Sequence, residues 1–174
     1  MKKTLLLFLT LFAAVATYAE RHMEFMEVSL GQSVDSFAVA MQQKGFRPYT
    51  ENKIIPRGNR YMVGTFNNTP VKLNILYGLH TNQVTSVRLT FAEIKELGEF
   101  LPFYEAMKQA VTEQYCSEGE VVNEPGDMKT LPKYGMTMDY GSVVLQIDPN
   151  TAFTLSVIYT DTYNTMEERK KRYD

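Results

Sequence analysis

Val71-Lys72-Leu73-Asn74-Ile75 sets an apolar residue at every second position, and Val143-Val144-Leu145-Gln146-Ile147 keeps the same spacing in the second half of the chain. A period of two sends successive side chains to opposite faces of a strand, so each stretch reads as a strand with one face turned to a core. Tyr61, Val63 and Thr65 alternate before the first stretch, and Val87, Leu89 and Phe91 after it. Tyr134, Met136, Met138 and Tyr140 precede the second stretch, and Phe153, Leu155, Val157 and Tyr159 follow it. Asn67-Asn68-Thr69-Pro70, residues 78–82, Tyr140-Gly141-Ser142 and Asp148-Pro149-Asn150 supply turns between these runs. Residues 53–56 and 120–123 are candidate short first strands of the two sets.

Each set follows a stretch with helical period. Val34, Phe37 and Met41 share a face, Ser33 is a candidate N-cap with Asp35 at the positive helix end, and Gly45 suits the position after the C-cap. The spacing predicts a helix over 34–44, with Phe46 folding back on it. Phe100, Phe103, Tyr104, Met107, Val111 and Tyr115 form the stripe of a second helix ending near Cys116, with Pro102 acceptable only in its first turn. The halves therefore read as one unit written twice. The expected fold is α+β, two tandem units over 24–91 and 95–160, each a helix packed on one face of an antiparallel meander of three to four strands. Phe37 and Met41 are expected on the first sheet, and Tyr104, Met107 and Val111 on the second. Residues 161–174 read as a charged tail, with a capping-box pattern from Thr165 to Glu168 and then Arg169-Lys170-Lys171-Arg172.

Residues 1–19 have the form of a cleaved secretory leader: Lys2 and Lys3, an apolar run from Leu5 to Phe12, then Ala14, Ala16 and Ala19. Cleavage is expected after Ala19, with Ala16 as the alternative. The apolar run is shorter than the ~20 residues a membrane span needs, and no Cys lies near the cleavage site for a lipid anchor. An exported chain results, periplasmic or extracellular, with no stable membrane insertion. Its 18 basic residues, two of them in the leader, stand against 20 acidic ones, which disfavours nucleic acid as the main partner. Cys116 is the only cysteine, so no internal disulfide supports the fold. Its place at a helix end suggests a buried, inert thiol.

His22, in an N-terminal stretch expected to be mobile, and His80, in a hairpin turn, are the only histidines. No pair has metal-ligand spacing. Neither a Gly-x-Ser-x-Gly elbow nor a phosphate-cradling glycine loop occurs. Glu93, Glu96 and Glu99 fall in a connector or helix start. No catalytic residue, metal or cofactor is assigned, and the chain is expected not to be an enzyme.

The informative residues lie opposite the apolar rows. Lys72, Arg88 and Gln146, with Ile158 as an apolar anchor, should point together from the uncovered faces of the strands. The segment 52–61 adds Arg57 and Arg60 beside them. These six are the candidate residues for binding a protein or peptide partner.

The layout resembles the tandem helix-plus-four-stranded-sheet repeat of the β-lactamase inhibitor protein family, shared with small exported bacterial proteins. The likeness is carried by residues 33–46 with the strands through Phe91, and by residues 100–116 with the strands through Tyr159. It is a likeness of layout without a residue-by-residue motif. It implies joined sheets whose open surface grips a protein, and hence a non-enzymatic binding module or, more specifically, an inhibitor of a secreted hydrolase. A small periplasmic enzyme with a cleft between the units is the alternative of a different class.

Overall fold

Helix α1 (Val34–Gln43) begins where Ser33 Oγ accepts the Ser36 amide proton at 3.2 Å, which satisfies one of the free donors of the first turn. It ends at Gly45, whose φ of +91° only glycine adopts without strain. Phe46 N then donates back to Met41 O at 3.0 Å and Gly45 N to Gln42 O, closing a Schellman motif that turns Phe46 into the core. The expected caps and fold-back are all present.

The computed structural model describes residues 20–50, 54–124, 133–148 and 153–173. The expected leader and the Pro149-Asn150 turn lie outside the described residues. The elements in order are β1 (Glu24–Phe25), β2 (Val28–Ser29), α1, β3 (Arg47–Pro48), β4 (Asn59–Phe66), β5 (Thr69–Tyr77), β6 (Val84–Phe91), α2 (Leu97–Tyr115), β7 (Glu120–Glu124), β8 (Lys133–Met138), β9 (Gly141–Asp148), β10 (Thr154–Asp161) and α3 (Thr162–Tyr173). The fold is α+β, with three helices, a two-stranded ribbon β1-β2 and one antiparallel sheet of eight strands among the described residues, in the order β3-β4-β5-β6-β10-β9-β8-β7. The last strand of each meander, β6 and β10, pair with each other, Leu89 opposite Val157 and Arg88 opposite Ile158.

One face of this sheet is the core. Leu73, Ile75, Val87, Leu89, Val143 and Leu145 are fully enclosed there, together with Phe37 and Met41 from α1. Helix α2 packs on β8 and β9 through Phe100, Val111 and Tyr115, while Tyr104 and Met107 are only half-buried. The first helix meets its expected packing, and the second helix sits more at the margin of the core.

Several expectations are corrected. Tyr61, Val63 and Thr65 do not face the core. Met62 does, opposite Leu73, and Gly64 leaves room for the Phe46 ring, which would lie 2.6 Å from any Cβ placed there. Alternation alone fixes the period and not the side, and here methionine and glycine mark the inner side. Residues 54–56 form no strand; the short first strand is Arg47–Pro48, immediately after the α1 cap. Helix α2 starts at Leu97, so Pro102 lies inside it rather than in the first turn, at a position that removes one backbone donor from the helix. The N-terminal stretch is not loose: Met23, Phe25 and Leu30 are fully buried, with the Phe25 ring against Phe46, Phe66 and Tyr159. Cys116 is exposed rather than buried.

The charged tail is also tied down. Asp161 caps α3 by accepting from Asn164 N at 2.8 Å, so the helix starts at Thr162 and not at Thr165. Glu168 does not close a capping box. Its carboxylate accepts from the backbone N–H groups of Leu79, His80 and Thr81 and from the Thr81 hydroxyl, all between 3.1 and 3.3 Å. Gly78 makes the approach possible, since a Cβ there would lie 2.3 Å from Glu168 Oε2. Asn164 Nδ2 adds bonds to Leu30 O and Val84 O, so one helix face locks the β5–β6 turn, the N-terminal arm and β10 together.

Candidate functional site

Backbone register assembles the uncovered side of the sheet into rows. Arg47, Val63, Lys72, Thr90, Ser156, Gln146, Lys133 and Glu124 stand opposite one another in turn across all eight strands. Tyr61, Asn74, Arg88, Ile158, Val144, Gly135 and Val122 make the next row across seven strands. Because a registered pair in an antiparallel sheet points to the same face, these side chains share one surface. Apart from Ser156 and Gly135 they are half-buried or exposed. No described helix packs across them.

Of the residues singled out in the sequence, Lys72, Arg88, Gln146 and Ile158 are brought together on this face, from β5, β6, β9 and β10. Arg88 and Ile158 are direct cross-strand neighbours. Arg60 is not with them. It pairs with Ile75 on the covered side, and its guanidinium reaches Asp35 Oδ1 at 2.7 Å and Val34 O at 3.3 Å, where it ties β4 to the start of α1. The one-residue parity shift in β4 is the cause. Arg57 is exposed in the turn before β4, where its carbonyl accepts from Asn59 Nδ2.

Arg47, Val63 and Lys133 belong to the face and were missed, and Tyr61, at the end of the 52–61 segment, lies on it. Arg47-Pro48 carried a signal for the edge strand, since proline in a strand is tolerated at an edge and blunts it against further pairing. Lys72 Nζ lies 4.4 Å from the Tyr49 ring centroid, a cation–π contact. Lys133 meets Glu124 at 3.5 Å. Arg47 and Arg88, both exposed, form no ion pair among the described residues.

A concavity of about 650 Å³ lies between the N-terminal arm and the C-terminal end of α2, lined by Arg21, Glu24, Tyr115, Glu118 and Tyr140 among others. Arg21 lies 4.1 Å from the Tyr140 ring centroid and 2.7 Å from Glu118 Oε2, which also accepts from the Tyr140 hydroxyl. The hydrogen bonds from Tyr140 and Arg21 hold the Glu118 carboxyl below its ordinary range. Burial, aided by the bond to Glu118, pushes the Tyr140 phenol up to about 12. A general acid or base works best with a pKa near the working pH, and both groups are moved away from it. Alongside, His22 Nδ1 lies 3.0 Å from Asp161 Oδ2, which also accepts from Met23 N. The His22 ring fits over Gly31, where a Cβ would lie 2.4 Å from it. These contacts anchor the arm. Among the described residues no cluster of three or more His, Cys, Asp or Glu side chains could hold a metal ion.

Comparison with protein-family models, with curated proteins and with solved structures gives no significant match for this chain.

Proposed function

We propose that this chain is an exported, non-enzymatic protein-binding module whose working surface is the uncovered face of the eight-stranded sheet. The observation that carries the reading is the register. It gathers Lys72, Arg88, Gln146 and Ile158 from four neighbouring strands onto one side with no described element over them. A surface of this kind offers apolar anchors, Ile158, Val144, Val63 and Tyr61, set among polar groups, and binding energy concentrates in a few such anchors. We read the helix-plus-meander order of each half as a pseudo-repeat, in keeping with the layout resemblance. Inhibition of a secreted hydrolase is the special case that the resemblance suggests. The arm-and-helix concavity does not favour an enzyme, because its carboxylate and phenol are committed to each other and to Arg21.

Export rests on the leader form of residues 1–19, which we read as directing the chain to the periplasm or beyond. Among the described residues no helix is long and apolar enough to cross a membrane.

The test is capture of partners from the native envelope by the mature chain and by the Arg88→Gln, Ile158→Thr double variant. The double variant should keep its circular dichroism spectrum and melting temperature while its capture weakens about thirtyfold or more, the loss expected when hot-spot side chains are truncated. Undiminished capture by a folded double variant would overturn the sheet-face site.

A further inference from the structure

The charge on the uncovered face is sorted. Over β3, β4, β5, β6 and β10 the registered rows contain Arg47, Lys72 and Arg88 and no carboxylate, and the acidic positions registered on this side, Asp148 on β9 and Glu120 and Glu124 on β7, lie on the other strands together with Lys133. This happens in a chain with more acidic than basic residues overall, so the cationic region is a local feature and not a reflection of composition.

Its geometry is specific. Val63 stands between Arg47 and Lys72, which puts these two cations two strands apart, about 10 Å. Lys72 pairs with Thr90, so Arg88 is its diagonal neighbour, about 7 to 8 Å away. Two shallow depressions adjoin the cluster. One of about 590 Å³ is lined by Arg47, Val63, Pro70, Lys72, Thr90 and Phe91; the other, of about 440 Å³, lies against Arg47, Pro48, Tyr49 and Val63.

We infer that the β3–β6 end of this face, through Arg47, Lys72 and Arg88 around Val63, binds an acidic, extended polypeptide segment of the partner. The inference rests on the sheet-face reading and names its ligand chemistry. Carboxylates at positions i and i+2 of an extended segment are about 7 Å apart, which matches the Lys72–Arg88 diagonal. Guanidinium groups bind carboxylates bidentately, and among the described residues Arg47 and Arg88 form no ion pair. An apolar side chain of the segment would fill the depression over Val63 and Pro70. A long polyphosphate fits poorly. Three cations neutralise few phosphates, and the same strand would run on toward Glu124 on a net acidic protein.

The experiment pans the mature full-length chain against a displayed library of random peptides of about twelve residues, with poly-L-glutamate as a competitor. The wild type should enrich Asp and Glu at alternating positions with an apolar residue nearby. Binding of the enriched peptides should fall roughly tenfold or more in the Arg47→Gln, Lys72→Gln, Arg88→Gln triple variant, and fall again as NaCl rises. Binders lost on Ile158→Thr but unchanged in the triple variant would overturn the acidic segment while leaving the sheet face in place. Absence of Asp and Glu enrichment, whether other sequences win or none binds, would also overturn it. Enriched acidic peptides insensitive to both sets of substitutions would overturn the sheet face itself.

Discussion

Leu89 and Arg88 are adjacent in β6, yet Leu89 has no exposed surface and Arg88 is open to solvent. The same contrast runs along β5, where Leu73 and Ile75 are enclosed and Lys72 and Asn74 are not. Every strand at the centre of the sheet serves two surfaces, one packed by α1, α2 and the N-terminal arm and one left uncovered. Their sensitivities to substitution should therefore differ sharply. The covered side loses contact area and gains a void when truncated; the uncovered side changes what the protein can hold and little else.

The largest expected effect lies on the covered side. Phe37→Ala empties the centre of the contact between α1 and the sheet and should destabilise the chain by about 3 to 5 kcal/mol, measured by denaturant unfolding. A loss under about 1 kcal/mol would mean that α1 contributes little to the core and would break the comparison at its root.

A smaller effect belongs to the α3 lock. Burial raises the Glu168 carboxyl, but the backbone donors of His80 and Thr81 and the Thr81 hydroxyl outweigh it and leave the pKa below the ordinary range. A carboxyl lowered on folding stabilises the protein above its unfolded pKa, and that contribution is lost as pH falls through the folded value. Wild-type stability should accordingly drop on acidification from about pH 5 downward. Glu168→Gln should cost about 1 to 3 kcal/mol at neutral pH and flatten that acid limb. An unchanged acid limb in the variant would mean that other carboxylates set it.

Met107→Ala sharpens the comparison within the covered side. Met107 is half-buried where Met41 is fully enclosed, so its truncation should cost about 1 kcal/mol, below the range of ~2 to 5 for a fully buried methionine. A loss inside that range would place α2 deeper on β8 and β9 than its exposure suggests.

How much of this was legible in the sequence follows from which forces are local. The caps at Ser33 and Gly45 and the period-two runs around Val71 and Val143 act over a few residues, and both helices and the strands around those runs appear near their expected places. The parity of β4 was not legible. Tyr61, Val63 and Thr65 alternate as well as Met62, Gly64 and Phe66 do, and only the Phe46 ring against Gly64 decides between them. Arg60 left the proposed site for the same reason. The N-terminal arm has no periodicity, because Met23, Phe25 and Leu30 fill gaps left by other elements. Glu168 resembled part of a capping box until the 79–81 turn, distant in sequence, supplied its donors. Lys72, Arg88, Gln146 and Ile158 could be placed together because strand parity in β5, β6, β9 and β10 was clear. Arg47 was missed because its two-residue strand has no period to read, and Lys133 because the alternation of its strand was read only from Tyr134 onward.

The smallest expected effect on stability is the one that bears most on the uncovered face. Lys72 and Arg88 carry charge with no carboxylate registered directly opposite them, so replacing both with Gln removes like-charge neighbours and breaks no ion pair among the described residues. Lys72 does lose its contact with the Tyr49 ring, worth ~0.5 to 1 kcal/mol at an exposed site, and relief of repulsion between the two cations offsets part of this. The double variant should therefore stay within about 0.5 kcal/mol of wild type, the usual span of surface changes. Raising NaCl should narrow the remaining difference, since both contributions are screened. A destabilisation of about 2 kcal/mol or more would show these cations to be part of what holds the sheet together. The contrast between the two faces would then fail at the residues proposed to bind a partner.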